Sequence, residues 1–96
     1  MRKRNAEQIG RVVQRFMREQ GLETPYNEYR LVNAWPEVMG QGIANYTGDV
    51  EIRNRVLYVK LKSSVLRQEL FMNRKRLVQK LNEHVGAQVI ENVVFY

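Results

Sequence analysis

The stretch that most constrains this chain runs from Val56 to Tyr96 and changes period twice. From Val56 to Lys62 the residues alternate. Leu57, Val59 and Leu61 fall on one side, and Val56, Tyr58, Lys60 and Lys62 on the other, the period of a half-buried strand. Ser63 and Ser64 then offer hydroxyl N-caps. From Val65 to about His84 the spacing turns helical: Leu66, Leu70, Leu77 and Leu81 share a narrow arc, widened by Phe71, Val78 and Val85. Gly86 predicts the stop, and Val89 to Tyr96 is β-rich again. Apolar residues on both parities of this last stretch predict a strand covered on both faces over part of its length. A strand, one long crossover helix and a second strand running the same way form one packing unit.

Immediately before this unit, Val50 and Ile52 alternate with Glu51 and Arg53, and Asn54-Arg55 can make a two-residue reversal. Such a turn fixes the register. Arg53 faces Val56, Ile52 faces Leu57, Glu51 faces Tyr58, Val50 faces Val59 and Asp49 faces Lys60, which places every strongly apolar pair on one face. The Asp49–Lys60 pair would temper the positive charge of the other face.

The N-terminal half reads as helical. Over Asn5–Gln20, Ile9, Val12, Val13, Phe16 and Met17 recur at the spacing of one buried face, with Gly21 as the C′ residue. Residues 1–5 are expected as a flexible basic arm. After a connector, Leu22 to Pro25, a second helix is expected over Tyr26–Trp35, with Tyr29 and Val32 inward. Pro36 predicts a break, followed by a short third helix to about Tyr46 that buries Met39, Ile43 and Tyr46. Trp35, the single tryptophan, is read as a core anchor rather than a nucleotide-stacking ring. The order of elements gives an α+β domain of 96 residues, one three-stranded sheet packed on helices.

The net charge of +6 is unevenly spread. Residues 1–18 carry +5, residues 19–51 carry −5, residues 52–80 carry +8 and residues 81–96 carry −2. Two basic blocks around an acidic one suggest a side that faces a polyanion. No apolar run approaches the ~20 residues of a membrane span, and no apolar segment follows the basic Met1–Arg4 as in a signal peptide. A cytoplasmic location is expected. The absence of cysteine excludes a disulfide scaffold and thiolate metal sites. HExxH, P-loop and nucleophile-elbow patterns are missing. Gly40-Gln41-Gly42 is no dinucleotide fingerprint, since no predicted strand precedes it. Neither an enzyme nor a metal or cofactor site is expected.

What remains is binding. The non-core face of the sheet shows Tyr58 among Lys60, Lys62 and Arg53, beside Arg55 at the hairpin tip. Rings interleaved with cations can stack bases while neutralising phosphates. The candidate phosphate contacts are Arg2, Lys3, Arg4, Arg11, Arg53, Arg55, Lys60, Lys62, Arg67, Arg74, Lys75 and Arg76, and Tyr58 is the candidate stacking ring. The alternative is a protein-interaction adaptor, docking through the acidic region around Glu23, Glu28 and Glu37 or through the edge of the final strand.

The chain also resembles a known family. The resemblance rests on Ala34-Trp35-Pro36-Glu37-Val38-Met39-Gly40, Ile43-Ala44, Val56-Leu57-Tyr58-Val59-Lys60-Leu61, Ser63-Ser64-Val65-Leu66-Arg67-Gln68-Glu69-Leu70, Leu81-Asn82 and Gly86. This pattern is similar to that of the DciA-type family of small bacterial proteins, catalogued as a domain of unknown function. The resemblance implies a KH-like fold, binding of DNA rather than RNA, and assistance in loading the replicative DNA helicase, which would then be a partner. The GxxG loop with which KH domains clamp nucleic acid does not occur here.

Overall fold

In the computed structural model, residues 2–96 are described, with side chains from residue 8 onward. The elements are α1 (Arg2–Glu19), α2 (Glu23–Met39), α3 (Gln41–Ala44), β1 (Thr47–Arg53), β2 (Val56–Leu61), α4 (Ser64–Met72), α5 (Arg74–Val85) and β3 (Asn92–Phe95). They form the expected α+β arrangement, helices on a three-stranded mixed sheet.

The hairpin forms as its register dictates. Arg53 pairs with Val56, Ile52 with Leu57, Glu51 with Tyr58 and Val50 with Val59. Asn54 and Arg55 both take positive φ, 51° and 66°, as a type I′ reversal requires. The pairing then departs from expectation. Thr47 faces Leu61, with a bulge between Thr47 and Val50. Asp49 and Lys60 form no ion pair among the described residues. Gly48 lies against the Lys60 stem instead, where an added Cβ would meet the Lys60 Cβ at 3.4 Å.

β3 lies parallel to β2, so β2 is the central strand. This strand is shorter than the β-rich run Val89–Tyr96 suggests. Asn82 on α5 explains the difference. Its Oδ1 accepts from the Val89 and Ile90 N–H groups, at 3.0 and 3.1 Å, and its Nδ2 donates to the Ile90 carbonyl at 2.9 Å. The Ile90 backbone is therefore paired to a side chain and not to a strand.

The crossover is two helices and not one. Ser63 caps α4, its Oγ accepting from Leu66 N–H. At Asn73 the helix breaks, with φ −107° and ψ 15°. The Asn73 side chain donates to the Glu69 carbonyl at 3.0 Å, a local bond that competes with the helical ladder. Leu70, Leu77 and Leu81 are nevertheless buried together. Gly86 ends α5 in the left-handed conformation.

Pro36 does not break α2, which begins at Glu23 and runs on to Met39. Pro36 is exposed, while its neighbour Trp35 is 1% exposed in the core. Burial of that ring holds the last turn in place despite the missing N–H. The Trp35 Nε1 donates to Thr47 Oγ1 at 3.1 Å, and the Thr47 hydroxyl donates to the Ile43 carbonyl at 2.9 Å. One indole thus ties α2, α3 and β1 together, the anchoring role its sequence context predicts. The core around it comprises Leu31, Leu57, Val59, Leu61, Leu70, Leu77, Leu81, Val85, Val89, Ile90 and Val93.

α1 ends at Gly21, where Leu22 N–H bonds to the Met17 carbonyl and Gly21 N–H to that of Arg18, a Schellman closure. Its apolar stripe is not buried as its periodicity predicts. Ile9 is 64% exposed and Phe16 54%, with Val12 similar. α1 rests on α2 through the other side of that stripe, where Val13 and Met17 are half-buried. Tyr29 and Tyr46, also expected inward, are exposed.

Candidate nucleic-acid interface

The sheet has two unlike faces. Leu57, Val59, Leu61 and Val93 point into the core, and the pleat sends their neighbours to the opposite face. Across that outer face, Glu51, Tyr58 and Val94 form one row, and Arg53, Val56 and Asn92 another. Tyr96 N–H bonds to the Val59 carbonyl and Leu61 N–H to that of Tyr96. This continues the parallel ladder and sets Tyr96 beside Lys60. Val94 and Tyr96 are exposed, as are Lys60 and Lys62, and Tyr58 is half-buried.

The candidate cations differ in what already holds them. Lys60, Lys62, Lys75 and Arg76 make no ion pair among the described residues. The Arg53 guanidinium sits 4.2 Å from the centroid of the Tyr58 ring, and its Nε is 3.2 Å from a Glu51 carboxylate oxygen. Arg55 faces Glu91 at 3.5 Å and donates to the Gln88 carbonyl at 3.3 Å. Arg67 is half-buried and donates to the Leu61 carbonyl at 2.8 Å, so part of its fork serves the end of β2. Arg74 lies 4.2 Å from the Phe71 centroid and donates to the Phe71 carbonyl.

Arg53, Tyr58 and Lys60 thus share one surface, and Lys62 follows just past the end of β2. Arg55 stands at the hairpin tip of that sheet, and Arg67 holds the carbonyl next to Lys62. Arg74, Lys75 and Arg76 form a separate cluster in the first turn of α5, where the helix dipole is also positive. Arg11 is exposed on α1, which packs on α2. The backbone of Arg2, Lys3 and Arg4 belongs to α1, and their side chains lie outside those described.

Two residues of the face escape a reading of the sequence: Tyr96 and Val94. Their parity within the last strand is visible. Their neighbours are not, because nothing in the chain states which strand β3 joins or in what register.

Two comparisons bear on this arrangement. A family model described as Dna[CI] antecedent, DciA, matches residues 8–95. A UPF0232 protein of Streptomyces avermitilis is 29% identical over 80 residues, covering 81% of this chain and 44% of the relative. A UPF0232 protein of Streptomyces coelicolor is 30% identical over 80 residues, covering 81% and 42%. The chain thus spans less than half the length of the curated relatives it matches. The family resemblance carried by the Trp35 segment and by Val56–Leu70 is borne out. Residues 8–95 include the whole sheet and the core beneath it, and on that match the chain belongs to the DciA family.

Proposed function

We propose that this chain is a non-enzymatic module that binds DNA through the open face of its sheet and serves helicase loading. The family relates to helicase loading in DNA replication, which supports DNA over RNA and a replicative helicase as partner. The observation that carries the reading is the placement of Tyr58 with Lys60 on one sheet face, with Lys62 exposed just past the end of β2 and both lysines without an ion pair among the described residues. Such lysines are available to phosphates, and the counterions they displace give binding its salt dependence. Among the described residues no helix is long and apolar enough to cross a membrane. A role beside the chromosome would fit a cytoplasmic location.

A salt titration with single-stranded DNA, duplex DNA and RNA tests the proposal. Affinity should fall steeply with salt, and Lys60→Gln and Lys62→Gln should each flatten the log–log slope by about 0.7–0.9. Failure to bind any of the three at low salt would overturn it.

One observation favours a second reading, a protein-interaction adaptor. Ile9, Val12 and Phe16 make an exposed apolar stripe on α1, and a protein partner gains by covering such a surface. Co-purification with the replicative helicase separates the readings. Capture that survives Lys60→Glu with Lys62→Glu but is lost in Val12→Ser with Phe16→Ser favours the adaptor; the opposite pattern favours a nucleic-acid bridge.

A further inference from the structure

We infer that the open sheet face is a two-ring platform for a single strand, with Tyr58 and Tyr96 each taking a base and Lys60 taking the phosphate between them. The inference rests on the DNA-binding reading above and narrows it to a ligand class and a second ring. Tyr58 lies opposite Val94, and Tyr96 stands two residues further along β3, beside Lys60. Strand spacing and rise place the two Cα atoms about 8 Å apart on a diagonal. Val94, exposed between them along β3, is an apolar floor on which a sugar or base edge can rest.

The Arg53 guanidinium already lies 4.2 Å from the Tyr58 centroid. It extends the platform, since bases stack on guanidinium planes as they do on rings. Glu51 holds Arg53 by its Nε, which steadies the plane and cancels part of its charge. That leaves Lys60 and Lys62 as the cations for the backbone. A duplex fits this surface poorly. Its base faces are stacked inside the helix, and a sheet face presenting rings meets only its phosphates. A single strand offers both unstacked bases and phosphates, the two chemistries this face pairs.

The test is fluorescence anisotropy with a short labelled oligothymidylate and with a hairpin duplex of equal phosphate count, at one fixed ionic strength. The single strand should bind more tightly than the duplex. Tyr58→Leu and Tyr96→Leu should each weaken single-strand binding about tenfold. Tyr58→Phe and Tyr96→Phe keep the ring and should stay within about twofold of the unaltered protein. Duplex binding should be nearly the same in all of them. Circular dichroism melting separates a lost ring from a lost fold. Photocrosslinking of the unaltered protein to the oligonucleotide should label Tyr58 and Tyr96. Leucine variants that bind the single strand normally, while Lys60→Gln and Lys62→Gln weaken it, would overturn the platform and leave the DNA-binding proposal standing. So would crosslinks confined to α1 or α5. Absence of binding in every arm would overturn both.

Discussion

Asn82 is the one buried polar side chain among the described residues, and it has a partner for each of its polar atoms. Besides the Val89 and Ile90 backbone groups, its Nδ2 reaches Gln88 Oε1 at 2.9 Å. Removing the amide would leave the Ile90 N–H and carbonyl unpaired in a buried segment, while Val89 N–H keeps a 3.0 Å bond to the Ala87 carbonyl. Each such loss costs about 1–3 kcal/mol, softened by relaxation. Asn82→Ala should therefore destabilise by about 2–4 kcal/mol, read as a lower urea midpoint at unchanged slope. Asn82→Asp should fall in the same direction, because it keeps the acceptor but loses both donors. None of this is legible in the sequence, where Asn82 reads as a polar residue beside the leucine stripe. Trp35 is the opposite case. Its burial follows from its size and from the helical segments around it, and only the bond from its indole N–H to Thr47 needs coordinates.

At the level of elements, the hairpin was legible because a two-residue turn leaves one register that buries all its apolar residues together. The helices were less so. Proline in α2 and asparagine between α4 and α5 carry opposite local signals from the outcome: the breaker is absorbed and the milder residue interrupts. Tertiary packing decides both. Pro36 sits beside a buried indole that fixes the turn, whereas Asn73 lies on an exposed stretch with a side chain able to bond its own backbone. Because Pro36 is exposed, Pro36→Ala removes little packing and restores a donor for the preceding turn. The gain is offset in part by a freer unfolded chain. Net stabilisation of about 1–2 kcal/mol is expected, seen as a higher melting temperature. An unchanged or lower value would mean that α2 depends on the restricted φ that proline imposes.

Across the whole molecule, the division into a core face and a cationic, tyrosine-bearing face was legible from the alternation of β2 alone. The surroundings of α1 were not. Helical periodicity shows that Ile9, Val12 and Phe16 share a stripe with Val13 and Met17, but an amphipathic pattern does not state what covers it. The neighbours of Tyr96 were hidden for the same reason, since they depend on which strand β3 joins. That parallel junction also orders the folding. β1 and β2 can zip across their two-residue turn within microseconds. β3 must wait until α4 and α5 have formed and closed a much longer loop. Until then one edge of the central strand is an open row of N–H and C=O groups. A chain emerging from the ribosome therefore carries this open edge until β3 arrives, and the seating of Val93 against Leu57 is the event that retires it.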